Sequence, residues 1–156
     1  MTLPPALLTL RGKIQHSRHT TGIIICSVKK SKSPQEIDAI NGHLTATTAD
    51  VREVDAWAKA LERSPATFPI IPSTKSMIGH ALGAAGALES VACILMLAGG
   101  FVHPSLNCED VHLEIEKYAG SIPHVVREVP TLGTIIKAGF GFGDVNACVI
   151  FRKWMD

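Results

Sequence analysis

The stretch Ser-Thr-Lys-Ser-Met-Ile-Gly-His-Ala-Leu-Gly-Ala-Ala-Gly-Ala-Leu-Glu, residues 73–89, decides how this chain folds. It reads as a loop entering a helix that continues through SVACILMLA and stops at Gly99 and Gly100, two natural terminators. Gly83, Ala84, Ala85, Gly86 and Ala87 let a neighbouring backbone come close, while Leu88, Val91, Ile94, Leu95 and Leu97 offer bulk for a core. A buried, small-residue helix is the expectation. Three residues do not suit that role. Glu89 is a carboxylate on a largely apolar helix and needs a partner, for which Lys75 is a candidate. Lys75 and His80 flank the helix start, where a partly buried ammonium disfavours the imidazolium and keeps His80 neutral. A neutral imidazole can donate one N–H to a carbonyl oxygen. The plainer alternative is a lysine and a histidine facing solvent at a helix start.

Upstream, Pro65 and Pro69 interrupt the chain, with Phe68, Ile70 and Ile71 fit for a short buried strand. Before them, DVREVDAWAKAL (50–61) sets Val51, Val54, Trp57, Ala58 and Leu61 at helical spacing, which predicts an amphipathic helix. Earlier still, Ser33 and Pro34 suit a helical cap and first position, and the apolar IDAI leads as a strand into NGHLTAT. Alternation there would put His43, Thr45 and Thr47 on one side, one imidazole and two hydroxyls converging on a polar ligand. A histidine that merely closes a strand end by hydrogen bonds fits the same residues. Residues 1–33 hold a proline-bearing lead, two basic stretches and an apolar run GIIICSV (22–28) that reads as a strand.

Downstream come a polar connection around HPSLNCEDVH, a helical or irregular EIEKYAG, and strands near HVVREV, TIIKAGF and NACVIFRKW. In GFGFGDVNA, Gly139, Gly141 and Gly143 alternate with Phe140 and Phe142. Such a loop can shape or block an apolar pocket; a tight turn with two core phenylalanines is the other reading. It is a poor phosphate loop, because a strand follows where a dinucleotide site requires a helix. Helices mixed with apolar strands, without an internal repeat, indicate an α/β layer architecture.

Composition narrows the function. A chain of 156 residues, 46% hydrophobic and 19% charged, has enough apolar surface for one domain with a core. Fifteen Lys and Arg against fourteen Asp and Glu create no field to recruit nucleic acid or an anionic membrane. The scattered Cys26, Cys93, Cys108 and Cys148 form neither a metal motif nor a disulfide framework, so free thiols in a reducing cytoplasm are expected. The N-terminal MTLPPALLTLRGK lacks the layout of a signal peptide. Residues 81–100 carry Glu89, Ser90 and several glycines, which suits a core helix better than a membrane span.

Taken together, in this order and spacing, NGHLTAT, STKSMIGHALGAAG and GFGFGDVN resemble the β-ketoacyl-acyl carrier protein synthases of the thiolase-like superfamily, whose usual forms are NAHGTST, TKSxxGH followed by GAAG, and SFGFGGxN. The resemblance covers residues 34–152, including IDAIN and VHPSLN. It implies a domain over residues 34–156, the C-terminal half of a thiolase-like α/β fold with a layered mixed sheet, preceded by an unmatched lead over 1–33. Position by position it makes His43 and His80 the catalytic histidine pair, Lys75 the lysine beside the second histidine, and Glu89 a supporting buried carboxylate. Thr45 and Thr47 fall where the family contacts the phosphopantetheine arm, Phe142 on the gating phenylalanine, and Phe140 beside it. Leu44 and Ala46 depart from the usual Gly and Ser, and Asp144 from a usual Gly.

The implied reaction is an acyltransferase step of fatty-acid biosynthesis. Malonyl-acyl carrier protein loses carbon dioxide and the carbanion attacks an acyl group held on a cysteine. Two imidazoles on the thioester oxygen would stabilise the enolate by on the order of 3 kcal/mol each. The resemblance implies acyl carrier protein as partner, together with an N-terminal half or a second copy. It implies no metal and no cofactor beyond carrier phosphopantetheine, and a cytoplasmic, plastid or mitochondrial setting. None of the four cysteines has the nucleophile's context, so the cysteine is expected from the other half of the fold. A catalytically inactive partner or truncated chain, and a polyketide condensing domain, share these motifs.

Overall fold

The computed structural model describes residues 34–143 and 145–153. The strand expected at 22–28, Cys26, Ser33 and Asp144 lie outside the described residues. Strand β1, Ala39–Asn41, grows from the IDAIN run, and all three of its residues are buried. It runs parallel to β4, Thr134–Gly141, which pairs antiparallel with β5, Val145–Arg152. The result is a mixed sheet in the order β1-β4-β5. On the free edge of β1, Ile40 N–H donates to Ile70 O at 2.8 Å and Ile70 N–H to Asp38 O at 3.0 Å, so the predicted strand at 68–71 is a single parallel bridge. Proline at 69 and 72 restricts it to that, since proline has no N–H for a ladder.

Alternation along the strands sorts side chains to two faces. Ile40, Ile136 and Ala138 join Trp57, Val54 and Leu61 of helix α1, Ala49–Leu61, and Ile115 and Tyr118 of the 3-10 segment Leu113–Ser121. Ala39, Ile135 and Phe151 turn the other way, onto Cys93, Met96 and Leu97 of helix α3, Ala85–Gly99. The three layers are thus α1 with the 3-10 segment, the sheet, and α3. Between the outer layers run the one-turn helix α2, Lys75–Ile78, and a 3-10 turn, Leu82–Ala84. A second sheet pairs β2, Phe101–Val102, with β3, Arg127–Glu128.

Helix α1 matches its apolar spacing and stops where Glu62 takes a left-handed conformation, its N–H bonded to Ala58 O and Lys59 O. Helix α3 corrects the expectation of burial. Of the five residues expected as core bulk only Leu97 is buried; Leu88, Val91, Ile94 and Leu95 are each about half exposed. Ala85, Glu89, Cys93 and Met96 form the inner face, and Gly83 and Gly86 have open space where a Cβ would sit. One sheet layer covers one side of a helix that is apolar all round, and nothing among the described residues covers the other. By length and composition Leu82–Gly99 could span a bilayer, at a mean hydropathy of 1.8 over 18 residues. The buried, ion-paired Glu89 and the packing of α3 on β4 make it a core helix with one open side. An uncovered stripe of this kind drives association. At micromolar concentration the chain alone is expected to sediment above its monomer mass of 16.7 kDa, and the double change Val91→Lys and Leu95→Lys to return it to monomer.

Candidate active site

Three elements place the histidines. Past Asn41 the chain leaves β1, and the loop over 42–48 is held by two carboxylates of α1. Glu53 accepts from the backbone N–H of His43 at 2.9 Å and of Leu44 at 3.0 Å, and from Trp57 Nε1 at 3.3 Å. Asp50 accepts from Thr45 N–H and Ala46 N–H, each at 3.0 Å. Burial pushes the Glu53 carboxyl up from its ordinary value, against the pull of those hydrogen bonds. Ala46 has φ 57°, so the segment is a turn and not the alternating strand expected from sequence. Even so, the Thr45 and Thr47 hydroxyls lie 3.4 Å apart. The departure at Leu44 is matched at Gly42: a Cβ on residue 42 would lie 2.9 Å from Leu44 Cγ, so the leucine fills space that a larger residue 42 would need.

His80 follows α2, and its Nδ1 accepts from Leu82 N–H at 3.0 Å. His43 Nδ1 lies 3.4 Å from Phe140 N, at the end of β4, and accepts that N–H. Because each Nδ1 is an acceptor, each neutral ring carries its proton on Nε2, leaving that atom to donate. The two rings lie 5.3 Å apart at an interplanar angle of 79°, and the Phe140 ring is 5.6 Å from His43. The pKa of His43 is pushed down to about 4, first by burial, then by its electrostatic interactions with Lys75, His80 and Lys137. Lys75 thus acts on His43, which stays neutral under ordinary conditions.

Lys75 reaches Glu89 as expected, Nζ to Oε1 at 2.6 Å. The other oxygen is taken by a residue that sequence reading missed: Lys137 Nζ lies 2.6 Å from Glu89 Oε2. Burial pushes Lys75 down from its ordinary value, and Glu89 opposes that shift. A second missed group ties β1 to α2. Asn41 Nδ2 donates to Thr74 Oγ1 at 2.7 Å, and Thr74 Oγ1 lies 2.9 Å from His103 Nε2. His103 Nδ1 faces Pro104 O at 2.9 Å and must donate to it, so the Thr74 hydroxyl donates to Nε2. The network locks the entry to α2, and hence Lys75, against the strand that leads to His43.

Phe142 is not brought to this group. It sits in the β4–β5 turn with its side chain fully exposed, which also rules it out as a second core phenylalanine. Gly143 has φ 77° in the same turn, a conformation that favours glycine. Among the described residues no cluster of His, Cys, Asp or Glu could hold a metal. Cys93 is buried, accepts from Asn41 Nδ2 at 3.4 Å, and has its thiol pushed up to about 11 by burial. Burial also raises Cys108. Neither thiol is set up as a thiolate nucleophile.

The protonation of His43 has a measurable consequence. Its folded value lies below the ordinary 6.5, so the native state binds the proton less readily than the unfolded chain. The stability tied to neutral His43 is complete above pH 6.5 and is lost as pH falls through about 4. In urea titrations, His43→Gln is expected to show a shallower decline of stability than the parent over that window; parallel curves would contradict the assignment.

What can this arrangement do? Two Nε2–H donors, with two buried lysines near His43, suit an oxygen that gains negative charge. Residues 15–109 match the family described as "Beta-ketoacyl synthase, C-terminal domain", a match that begins inside the lead where sequence reading found no motif. The chain is 40% identical over 124 residues to 3-oxoacyl-[acyl-carrier-protein] synthase 1 of Escherichia coli (strain K12), covering 77% of this chain and 28% of the relative. It is 36% identical over 138 residues to 3-oxoacyl-[acyl-carrier-protein] synthase II, chloroplastic, of Arabidopsis thaliana, covering 85% and 25%. Among solved structures it resembles a type II polyketide ketosynthase in complex with its acyl-carrier protein, with a TM-score of 0.70 and 32% identity over 79% of this chain and 29% of that one. The chain therefore spans less than a third of the length of these relatives. With both the matched domain and the layered α/β architecture in agreement, this chain belongs to the β-ketoacyl synthase family, through that family's C-terminal domain.

Proposed function

We propose that this chain is the histidine-bearing C-terminal part of a 3-oxoacyl-[acyl-carrier-protein] synthase. Its substrate is the malonyl thioester of an acyl carrier protein, and its reaction is decarboxylative Claisen condensation with an acyl group held on a cysteine of the complementary half. The observation that carries this reading is the pair of imidazoles 5.3 Å apart, each with Nδ1 occupied by a backbone N–H and Nε2 left to donate. Loss of carbon dioxide leaves an enolate whose oxygen carries the charge. Donors already in place stabilise that charge without reorganising as it forms.

Thr45 and Thr47, with neighbouring hydroxyls at the loop mouth, are the polar groups for the phosphopantetheine arm. Phe140 forms an apolar wall against His43. Phe142, at the hairpin tip, reaches the acyl group only if the turn folds inward when the other half is present. The open side of α3 is where that half packs. The setting is the cytoplasm or an organelle interior such as that of the chloroplastic relative. Higher identity to the fatty-acid enzymes than to the polyketide ketosynthase favours the fatty-acid reading.

The test mixes the chain with malonyl- and acyl-loaded carrier protein, with and without a separately expressed N-terminal half of the Escherichia coli relative. A β-ketoacyl product that appears only in the mixture supports the reading. If the two halves associate and still give neither product nor carbon dioxide, the inactive-partner alternative replaces it.

A further inference from the structure

We propose that Lys137 is an electrostatic positioning residue of the condensing site: it shares the Glu89 carboxylate with Lys75, so that the buried group behind the two imidazoles carries net positive charge where the enolate forms. The inference rests on the proposed condensation for its chemistry and on the geometry alone for its charge.

The geometry is specific. Lys75 and Lys137 each place Nζ 2.6 Å from a different oxygen of Glu89, and all three side chains are almost wholly buried. One carboxylate cannot neutralise two ammoniums. Glu53 is the next carboxylate to consider, and it is turned to the backbone of His43 and Leu44 and to Trp57. Cys93 of α3 also faces the group, and its thiol is uncharged. His103 lies across Thr74 and is bonded within the chain at both ring nitrogens. Among the described residues no second carboxylate pairs with either lysine, although Glu53 acts on Lys75 at longer range, and His43 feels the charge of both lysines.

Two further observations show that the strand is built to accept the second lysine. In the parallel register of β1 and β4, Asn41 pairs with Lys137, which brings residue 137 beside the strand end that leads to His43. Lys137 Nζ also donates to Ala138 O. A Cβ on residue 139 would come within 3.3 Å of Lys137 Nζ, so Gly139 leaves the ammonium its room. An unpaired buried charge is costly, and a group that serves only packing would be apolar. A net cation at this position acts twice. It opposes protonation of His43, preserving that ring as a neutral donor, and it favours the anion that forms nearby.

The experiment follows the His43 ring by NMR titration in the full chain and, separately, kcat against pH in the chain joined to its complementary half. In Lys137→Met the His43 titration is expected to move up by a few tenths of a pH unit, as befits loss of the weaker of two nearby lysine charges. The acid limb of kcat should move with it, and kcat is expected to fall about tenfold with KM little changed. Lys137→Arg, which keeps the charge, is expected to recover most of both. A purely structural lysine would lower Tm and leave the His43 titration in place; that outcome overturns the proposal. Should Lys137→Met not fold, Lys137→Gln removes the charge while keeping a donor for Glu89, and an unmoved His43 titration there overturns the proposal equally. The titration needs no turnover. A shifted His43 in a protein that never condenses would thus refute the proposed reaction while leaving the charge assignment standing.

Discussion

Glu89→Ala is expected to destabilise the fold by roughly 3–5 kcal/mol, the range for removing one partner of a buried ionic group, measured as a shift in the urea midpoint. The physical reason is what remains. Lys75 and Lys137 keep their side chains 6% and 5% exposed and would face each other without the carboxylate between them. Neither can reach water without disturbing α2 or the middle of β4. The surface pair Lys59–Asp55 makes the contrast: it is as short, at 2.5 Å, but its side chains are 75% and 50% exposed. Asp55→Ala should therefore change stability by no more than about 0.5 kcal/mol. Equal losses at the two sites would show that the Glu89 carboxylate does not bridge two buried lysines.

The second large effect concerns rate. In the joined protein, His43→Ala and His80→Ala are each expected to lower kcat for condensation by about 10²–10³, the cost of removing one preorganised donor from an oxyanion site. The double variant should lose little more than the worse single one, because donors that act on one oxygen are not additive. His80 is exposed and, among the described residues, its hydrogen bond is the local one from Leu82 N–H, beside its ring contact with His43, so its replacement should leave Tm nearly unchanged. His43 also receives the Phe140 N–H and packs against that ring, so a small drop in Tm is expected there. A His80→Ala protein that condenses at the parent rate would remove the second donor from the mechanism.

The two predictions differ in how far sequence alone could reach them. The histidines, Lys75 and Glu89 were legible because the motifs are contiguous. A polar group inside an apolar helix, or a lysine five residues before a histidine, announces itself over a few positions. Helix α1 was legible for the same reason, since Val54, Trp57 and Leu61 repeat at the period of a helix. Lys137 was harder to see. A single lysine inside TIIKAGF looks like a solvated edge position until β1 and β4 are paired, because only that register sets it beside Asn41 and in front of Glu89. Glu53 was hidden similarly: it reads as one charge on the outer face of an amphipathic helix, but it turns inward to satisfy backbone N–H groups that β1 leaves unpaired.

Local chemistry in the chain therefore pointed to the mixed α/β class and the amphipathic helix, and motif spacing singled out His43 and His80 as candidates, because periodicity and motif spacing are properties of neighbouring residues. Long-range packing alone decided that His43 meets Phe140 across 97 positions, that Glu89 is divided between two lysines, and that α3 keeps one apolar side open. Those outcomes depend on which strand lies beside which and on how many layers there are to cover a helix. No window of consecutive residues contains that information.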